Sequence, residues 1–415
     1  MRCSVQITRS GRQLISRVGA PLTSADVTSS DDAAAIEGGR TIRYGVIGTG
    51  MMGCEHLRNI AALPGATTVA VSDPTPKSLS WAASALLDTG QQVATEYRDH
   101  RDLLQRDDLD AVLISSPNFT HVGVVADVLR SRPDLHVMVE KPLCTTVEDC
   151  QGLIALRDER PAGSGIVWVG LEYRYMPAAA RFLEEIRAGT AGSLKMLAIR
   201  EHRFPFLAKV DNWNRFSANT GGTLVEKCCH FFDLMNLAVG ARPLRVMASG
   251  GQDVNHLDEI YDTPNGPKRS DILDNAYVIV DYENSVRCLL DLSMFAEGGP
   301  NEQELVATGD VAKVEAFIPS GLVRIGRRGG LPRPNGEWTS GGVEEFDASH
   351  DDRVRFGGFH HGASYLEHAD FCEAIRSGQP SKVTLEDGLW SVAVGAAAHR
   401  SIDLGRPVLV SEFGV

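Results

Sequence analysis

In the stretch "GGTLVEKCCHFF" (Gly221 to Phe232), an acid, a base, two thiols and an imidazole occupy five consecutive positions. Glu226 and His230 are four apart, so a helix carries both on one face, and Asp233 follows three residues later. An acid and an imidazole so placed suit proton transfer and the binding of hydroxyl groups. Cys228, Cys229 and His230 are consecutive, so a helix points them in different directions. Zinc needs converging ligands, and no metal is expected. The two thiols read instead as small apolar fillers on a buried helix side. A second chemical feature is "VMVEKPLCTT", which sets Glu140 and Lys141 at the end of a strand stopped by Pro142. A partly buried lysine there has a lowered pKa and exchanges a proton with an alcohol or carbonyl. The plain alternative is a solvated strand-end lysine. Glu140 could pair with it or contact a cofactor ribose.

A glycine loop supplies the third feature. "GTGMMG" places Gly48, Gly50 and Gly53 around Met51 and Met52, after an apolar strand and before a helical pattern. Gly48 permits the tight turn, Gly50 lets the backbone approach a pyrophosphate, and Gly53 lets the helix pack on the strand. Asp73 ends the next strand and can accept a hydrogen bond from a ribose 2′-OH, which favours NAD. Lys77 nearby leaves NADP open. "SSPNFTH" brings Ser116, Asn118 and His121 to the carboxyl end of a third strand, where nucleotides bind in open α/β sheets. The plain reading of His121 is a helix-start histidine without chemistry.

These residues need a scaffold. From residue 41 to about 162, short apolar strands alternate with helical patterns, as in a parallel Rossmann sheet. From 163 to 415 the texture changes to strand-like runs joined by polar turns, interrupted by helices. This predicts an open, largely antiparallel sheet covered by helices on one face. "GTLVEKCCHFFDLMNLAVG" is expected as one helix. The chain's 415 residues exceed one ordinary core, which agrees with two domains. A net charge of −13 argues against nucleic-acid binding. No apolar run approaches the roughly 18 residues of a membrane span. The eight cysteines are scattered without a C-x-x-C, so reduced thiols in an intracellular protein are expected. Residues 1–40 read as a leader: four arginines and no acid precede Ala25. That composition resembles a mitochondrial or plastid transit peptide, with an unstructured extension as the alternative. The expected location is the cytoplasm, or an organelle if the leader targets one.

"GVIGTGMMG", "SSPNFTH", "EKPL", "GGTLVEKCCHFFD" and "SYLEHADFCEAI", in this order, resemble the glucose–fructose oxidoreductase, inositol dehydrogenase and MocA (Gfo/Idh/MocA) family. The resemblance spans about residues 42 to 412. It implies a Rossmann domain joined to an open sheet, and an NAD(P)-dependent dehydrogenase acting on sugars, cyclitols and related polyols. It also implies a homodimer or homotetramer formed through the sheet. Carried over, Lys141, His230 and Glu226 face the substrate. Glu226 stands where the family more often has aspartate. The arginine–aromatic segment at Arg174 and the tryptophan loop at Trp213 are implied at the border of cofactor and substrate, with Asp233 and His361 as further substrate contacts. Two other readings stay open: a glycosidase or lyase that oxidises its sugar transiently with NAD, and an NAD-binding sensor without catalysis.

Overall fold

Parallel strands buried on both faces need continuous apolar runs, and the first half of the chain supplies them. The computed structural model describes residues 40–415, apart from 264, 265, 331–333, 335, 337, 338 and 340. The leader, up to residue 39, lies outside the described residues. Strands β1 (Ile42–Ile47), β2 (Ala66–Ser72), β3 (Thr95–Tyr97), β4 (Ala111–Ile114), β5 (His136–Glu140) and β6 (Val167–Gly170) form one sheet in the order β3-β2-β1-β4-β5-β6. All five pairings are parallel. Helices α1 (Met51–Ala62), α2 (Pro76–Asp88), α3 (His100–Leu103), α4 (His121–Ser131) and α5 (Val147–Asp158) connect the strands. Helix α5 starts where a threonine cap predicts: the Thr146 hydroxyl accepts the Asp149 N–H. The strand order reverses between β1 and β4, which opens a crevice at their carboxyl ends.

The second half follows with α6 (Pro177–Arg187), β7 (Leu194–His202), α7 (Ser217–Thr220), α8 (Thr223–Glu226), α9 (Cys229–Val239) and β8 (Pro243–Gly251). A small hairpin, β9 (Ile260–Thr263) and β10 (Gly266–Arg269), stands apart from the main sheet. Then come β11 (Asn275–Tyr282), β12 (Arg287–Ser293), β13 (Gln303–Gly309), β14 (Ala312–Ile318), β15 (Leu322–Arg327) and β16 (Val343–Asp347). Helices α10 (Ala363–Ser377) and α11 (Leu385–Leu404) and strand β17 (Val408–Leu409) close the chain. Nine of these strands form a sheet ordered β16-β15-β14-β13-β7-β12-β11-β8-β17. Every pairing is antiparallel except β7 with β12. Alternation sets its two faces. On β11, Ala276, Val278 and Val280 are buried beneath helices, while Tyr277 and Ile279 point outward and are exposed. Helix α6 packs on β13 to β15, and α9 on β7. Helix α11 packs on β8, α8 and α9, and also on α5 and β6 of the first sheet. No described helix is long and apolar enough to cross a membrane.

Two expectations change. The run "GIVWVG", assigned to the second half by its texture, forms β6 and pairs in parallel with β5. The first sheet therefore extends past 162 to Gly170, because a strand's partner is chosen by tertiary packing and leaves no local signal. The single helix expected over "GTLVEKCCHFFDLMNLAVG" is two, α8 and α9, broken at Lys227 and Cys228.

Candidate active site

The glycine loop forms at the crevice between β1 and β4. A Cβ on Gly53 would sit 2.2 Å from the Gly48 carbonyl oxygen, so only glycine lets α1 start this close to the strand. Gly48 has φ +89 and abuts the Ser116 backbone. Above Gly50 the space is open, with no atom within 4 Å of the point where a Cβ would stand. By helix geometry the amides of Met51, Met52 and Gly53 lack intrahelical acceptors and can receive a phosphate. Asp73 is nearly buried. Its carboxylate accepts the Thr49 N–H at 2.9 Å and the Thr75 N–H at 2.8 Å, which fixes it at the end of β2. Asn118 is buried with its amide nitrogen lacking a protein partner, a donor left over for a bound group. The open space, free helix amides and spare donor fit a dinucleotide. Ser116 is held by the Thr120 hydroxyl at 2.7 Å. His121 behaves otherwise than expected of a cofactor ligand. Its ring is fully buried and both nitrogens lie 2.9 Å from carbonyl oxygens, of Pro142 and Ser116. It is spent as a clip between two loops.

Across the crevice, α8 brings Glu226 to Lys141. The Lys141 Nζ donates to the Glu226 carbonyl oxygen at 3.2 Å. Gly221 and Gly222 both have positive φ, and Gly222 leaves room for His399 of α11. His399 Nε2 accepts the Leu224 N–H at 3.0 Å and so caps α8. Glu226 is buried, with one carboxylate oxygen lacking a protein partner. Burial pushes its pKa up, against the pull of Lys141, Lys209 and Arg215. His230 is buried and stacks on Tyr173 at 3.9 Å between ring centres, with planes 8° apart. Burial, with Lys141 and Lys227 nearby, drives its pKa well down, so the imidazole is neutral. Lys141 departs from the expected lowered pKa. Burial alone would lower it, but neighbouring groups reverse the sign. Cys229 is itself pushed up to about 12 and stays a thiol at neutral pH. The carboxylates of Glu140, Glu226 and Glu172 therefore keep Lys141 charged.

Other expected substrate contacts are engaged elsewhere. Arg174 donates to both oxygens of Asp233, at 2.6 and 2.5 Å, and lies 3.3 Å from Asp387. Burial alone would lower its pKa, but the Asp233 charge and hydrogen bonds raise it. Neither Arg174 nor Asp233 is spare for substrate; the pair ties the segment before α6 to α9. His361 is exposed. Its neighbour His360 turns inward instead, with Nδ1 3.4 Å from Glu172 and 3.7 Å from Glu55. Trp213 is half-buried and meets Phe119 edge-to-face at 6.3 Å, which places it beside the "SSPNFTH" loop. Lys227 points inward, donating to the Tyr173 hydroxyl at 2.6 Å and pairing with buried Glu201 at 2.9 Å. Its pKa falls to about 8, chiefly by burial. Cys228 and Cys229 are free and buried, and no cluster of His, Cys, Asp or Glu among the described residues is arranged to hold a metal ion.

Several site residues carry no sequence signal of their own. Glu172 and Tyr173 immediately precede the more conspicuous Arg174. Lys209 sits in an irregular segment, yet its charge couples to Glu226 and Lys141. Glu140 turns inward: His56 Nε2 lies 2.7 Å from one oxygen, and the Lys141 N–H donates to the other at 3.0 Å. His56 was detectable in principle. It lies three residues after Gly53, on the inward side of α1.

Both halves of the chain match known protein families. A family model described as "Oxidoreductase family, NAD-binding Rossmann fold" matches residues 42–170, and one described as "Oxidoreductase family, C-terminal alpha/beta domain" matches 184–410. The chain is 26% identical to a myo-inositol 2-dehydrogenase of Thermotoga maritima, over 89% of this chain and 99% of that protein. It is 25% identical to the scyllo-inositol 2-dehydrogenase (NAD(+)) of Bacillus subtilis, over 88% and 96% respectively. The crystal structure of an oxidoreductase domain protein from Kribbella flavida has the same fold, with a TM-score of 0.74 at 20% identity, over 89% of this chain and 99% of that one.

Proposed function

Because the chain belongs to the Gfo/Idh/MocA family of NAD(P)-dependent dehydrogenases acting on CH–OH groups, we propose that it oxidises a secondary alcohol of a cyclitol or sugar, or reduces the matching ketone. Its named inositol dehydrogenase relatives support that substrate class. The observation that carries the reading is that Lys141 Nζ, at the end of β5, reaches the Glu226 carbonyl of α8, with buried His230 near enough for the Lys141 charge to lower its pKa.

Bound NAD supplies the hydride acceptor. Lys141 then sits at the substrate oxygen. In oxidation its amine takes the hydroxyl proton; in reduction its ammonium returns it. The free oxygen of Glu226 accepts a hydrogen bond from a neighbouring hydroxyl, and neutral His230 orients a second. Since carboxylates hold Lys141 charged, oxidation should quicken as pH rises and Lys141 loses its proton. Asp73 favours the unphosphorylated ribose of NAD. The outward sheet face, with Met196, Met247, Tyr277 and Ile279 exposed, is the surface through which copies would pair.

The test is a screen of cyclitols and sugars with NAD and NADP, read by reduced-nicotinamide absorbance. Lys141→Ala should cost about 10²- to 10⁴-fold in kcat while NAD binding survives. Near-normal turnover in that variant overturns the mechanism.

A further inference from the structure

Behind Lys141 runs a buried chain of three side chains, of which the reaction above uses only the charge of Glu140. Glu140 ends β5, His56 lies on α1 and His368 on α10. His56 Nε2 is 2.7 Å from Glu140 Oε1, and His56 Nδ1 is 2.9 Å from His368 Nε2. The exposures are 6% for Glu140, 2% for His56 and 0% for His368. The His368 ring meets the edge of Tyr44 and has no hydrogen-bond partner at its own Nδ1. The chain therefore ends inside the protein. It leads to no solvent and carries no proton out.

Its geometry serves another purpose. Glu140 immediately precedes Lys141, and a free carboxylate there would fold onto the lysine ammonium. Instead, one oxygen faces His56 and the other accepts the Lys141 backbone N–H at 3.0 Å. Lys141 Nζ reaches across to the Glu226 carbonyl instead. We propose that His56 is a positioning residue: clamped between His368 and Glu140, it keeps the Glu140 carboxylate off the Lys141 amine, which stays free for the substrate oxygen. This rests on the oxidoreductase reading for its consequence in turnover, though not for the clamp itself.

The electrostatic surroundings agree. His56 faces Glu55 from its own helix, Glu140 from β5, Glu172 from the turn before α6, and His368 from α10. Burial alone would lower its pKa, yet the Glu140 hydrogen bond raises it. Glu140 is held down in turn: burial would raise it, but His56, Lys141 and His360 lower it. Lys141 faces Glu140, Glu226, Glu172, Cys229, Lys209 and neutral His230.

The test measures Lys141 directly. NAD-loaded protein is labelled with trace acetic anhydride across a pH series without substrate, and the Lys141 peptide is quantified by mass spectrometry. In His56→Leu the freed carboxylate should pair with Lys141, moving its acylation midpoint up by about one pH unit, equivalent to about tenfold less free amine at neutral pH. His56→Gln, whose amide can donate to the same oxygen, should recover most of that shift. Oxidation by His56→Leu should fall at neutral pH and recover at alkaline pH, a pattern that mere loosening of the fold does not produce. A Lys141 midpoint that stays put or falls in His56→Leu overturns the proposal, as does an equal upward shift in His56→Gln. Should no polyol be turned over by the wild type, the substrate reading fails while the labelling still decides the clamp.

Discussion

Arg174→Met separates two accounts of a residue that, by sequence, faces the substrate. In the structure Arg174 is 9% exposed and Asp233 2%, joined by two hydrogen bonds of 2.5–2.6 Å. Removing the arginine strands a buried carboxylate, and breaking such a pair costs about 3–5 kcal/mol. For roughly 380 folded residues the entropy of unfolding is about 0.8 kcal/mol per kelvin, so Tm should fall by about 4–6 °C. Replacing both partners, Arg174→Met with Asp233→Leu, leaves only the partly exposed Asp387 without its arginine and should restore most of that loss. The assay is thermal unfolding followed by circular dichroism, with steady-state kinetics at a temperature well below either midpoint. The structural account requires KM for a turned-over cyclitol to stay within about threefold of wild type, since a residue outside the site moves binding by under about 0.7 kcal/mol. An unmoved Tm with a large rise in KM would refute it and return Arg174 to the substrate.

Three more outcomes follow from the geometry. Gly53→Ala drives a methyl against the Gly48 carbonyl, and NAD affinity by titration calorimetry should fall roughly 5- to 150-fold, from the about 1–3 kcal/mol an overpacked contact costs. Glu226→Gln keeps the shape but not the charge; kcat/KM for a cyclitol should drop by about 10²-fold or more while NAD binding is unchanged, and equal loss of both would place Glu226 in the fold instead. His399, half-buried as an acceptor for Leu224, has its pKa lowered from 6.5 to about 4, chiefly by desolvation. Its contribution is fully present above pH 6.5 and is lost as pH falls toward 4, because the unfolded chain takes the proton first. His399→Gln should flatten the acid side of the stability curve by up to about 1.4 kcal/mol per pH unit, and identical curves would contradict the assignment.

How far the site can be read from the chain depends on the range of the signal. "GTGMMG" with Asp73 is local: strand, turn and helix N-terminus lie within 30-odd residues, and backbone sterics alone dictate the glycines. Glu226 and His230 are likewise near neighbours, although the helix expected to carry both is broken between them. Pairings across the fold are silent. Arg174 looks like a substrate clamp until Asp233, 59 residues on, is found to fill it. Lys141 should have a lowered pKa if burial acted alone, but of the carboxylates that reverse the sign only Glu140 is a sequence neighbour; Glu172 and Glu226 come from two other segments. His360 and His361 are equivalent on paper. A left-handed backbone at His361, φ 54, accompanies the turn that leaves one ring inside and the other in solvent. His56 reaches Glu140 and His368 across 84 and 312 residues.

Helix α11 touches the first sheet at α5 and β6 and the second at α8, α9 and β8, and it holds the α8 cap through His399. During synthesis this has an ordering effect. Every residue of the dinucleotide crevice has left the ribosome long before α11 exists, yet α8, and with it Glu226, waits uncapped until His399 emerges. A nascent chain can thus assemble a nucleotide pocket early and gain a working substrate pocket only at the end. Ribosome-stalled chains ending before residue 385 should bind NAD more readily than they turn over substrate.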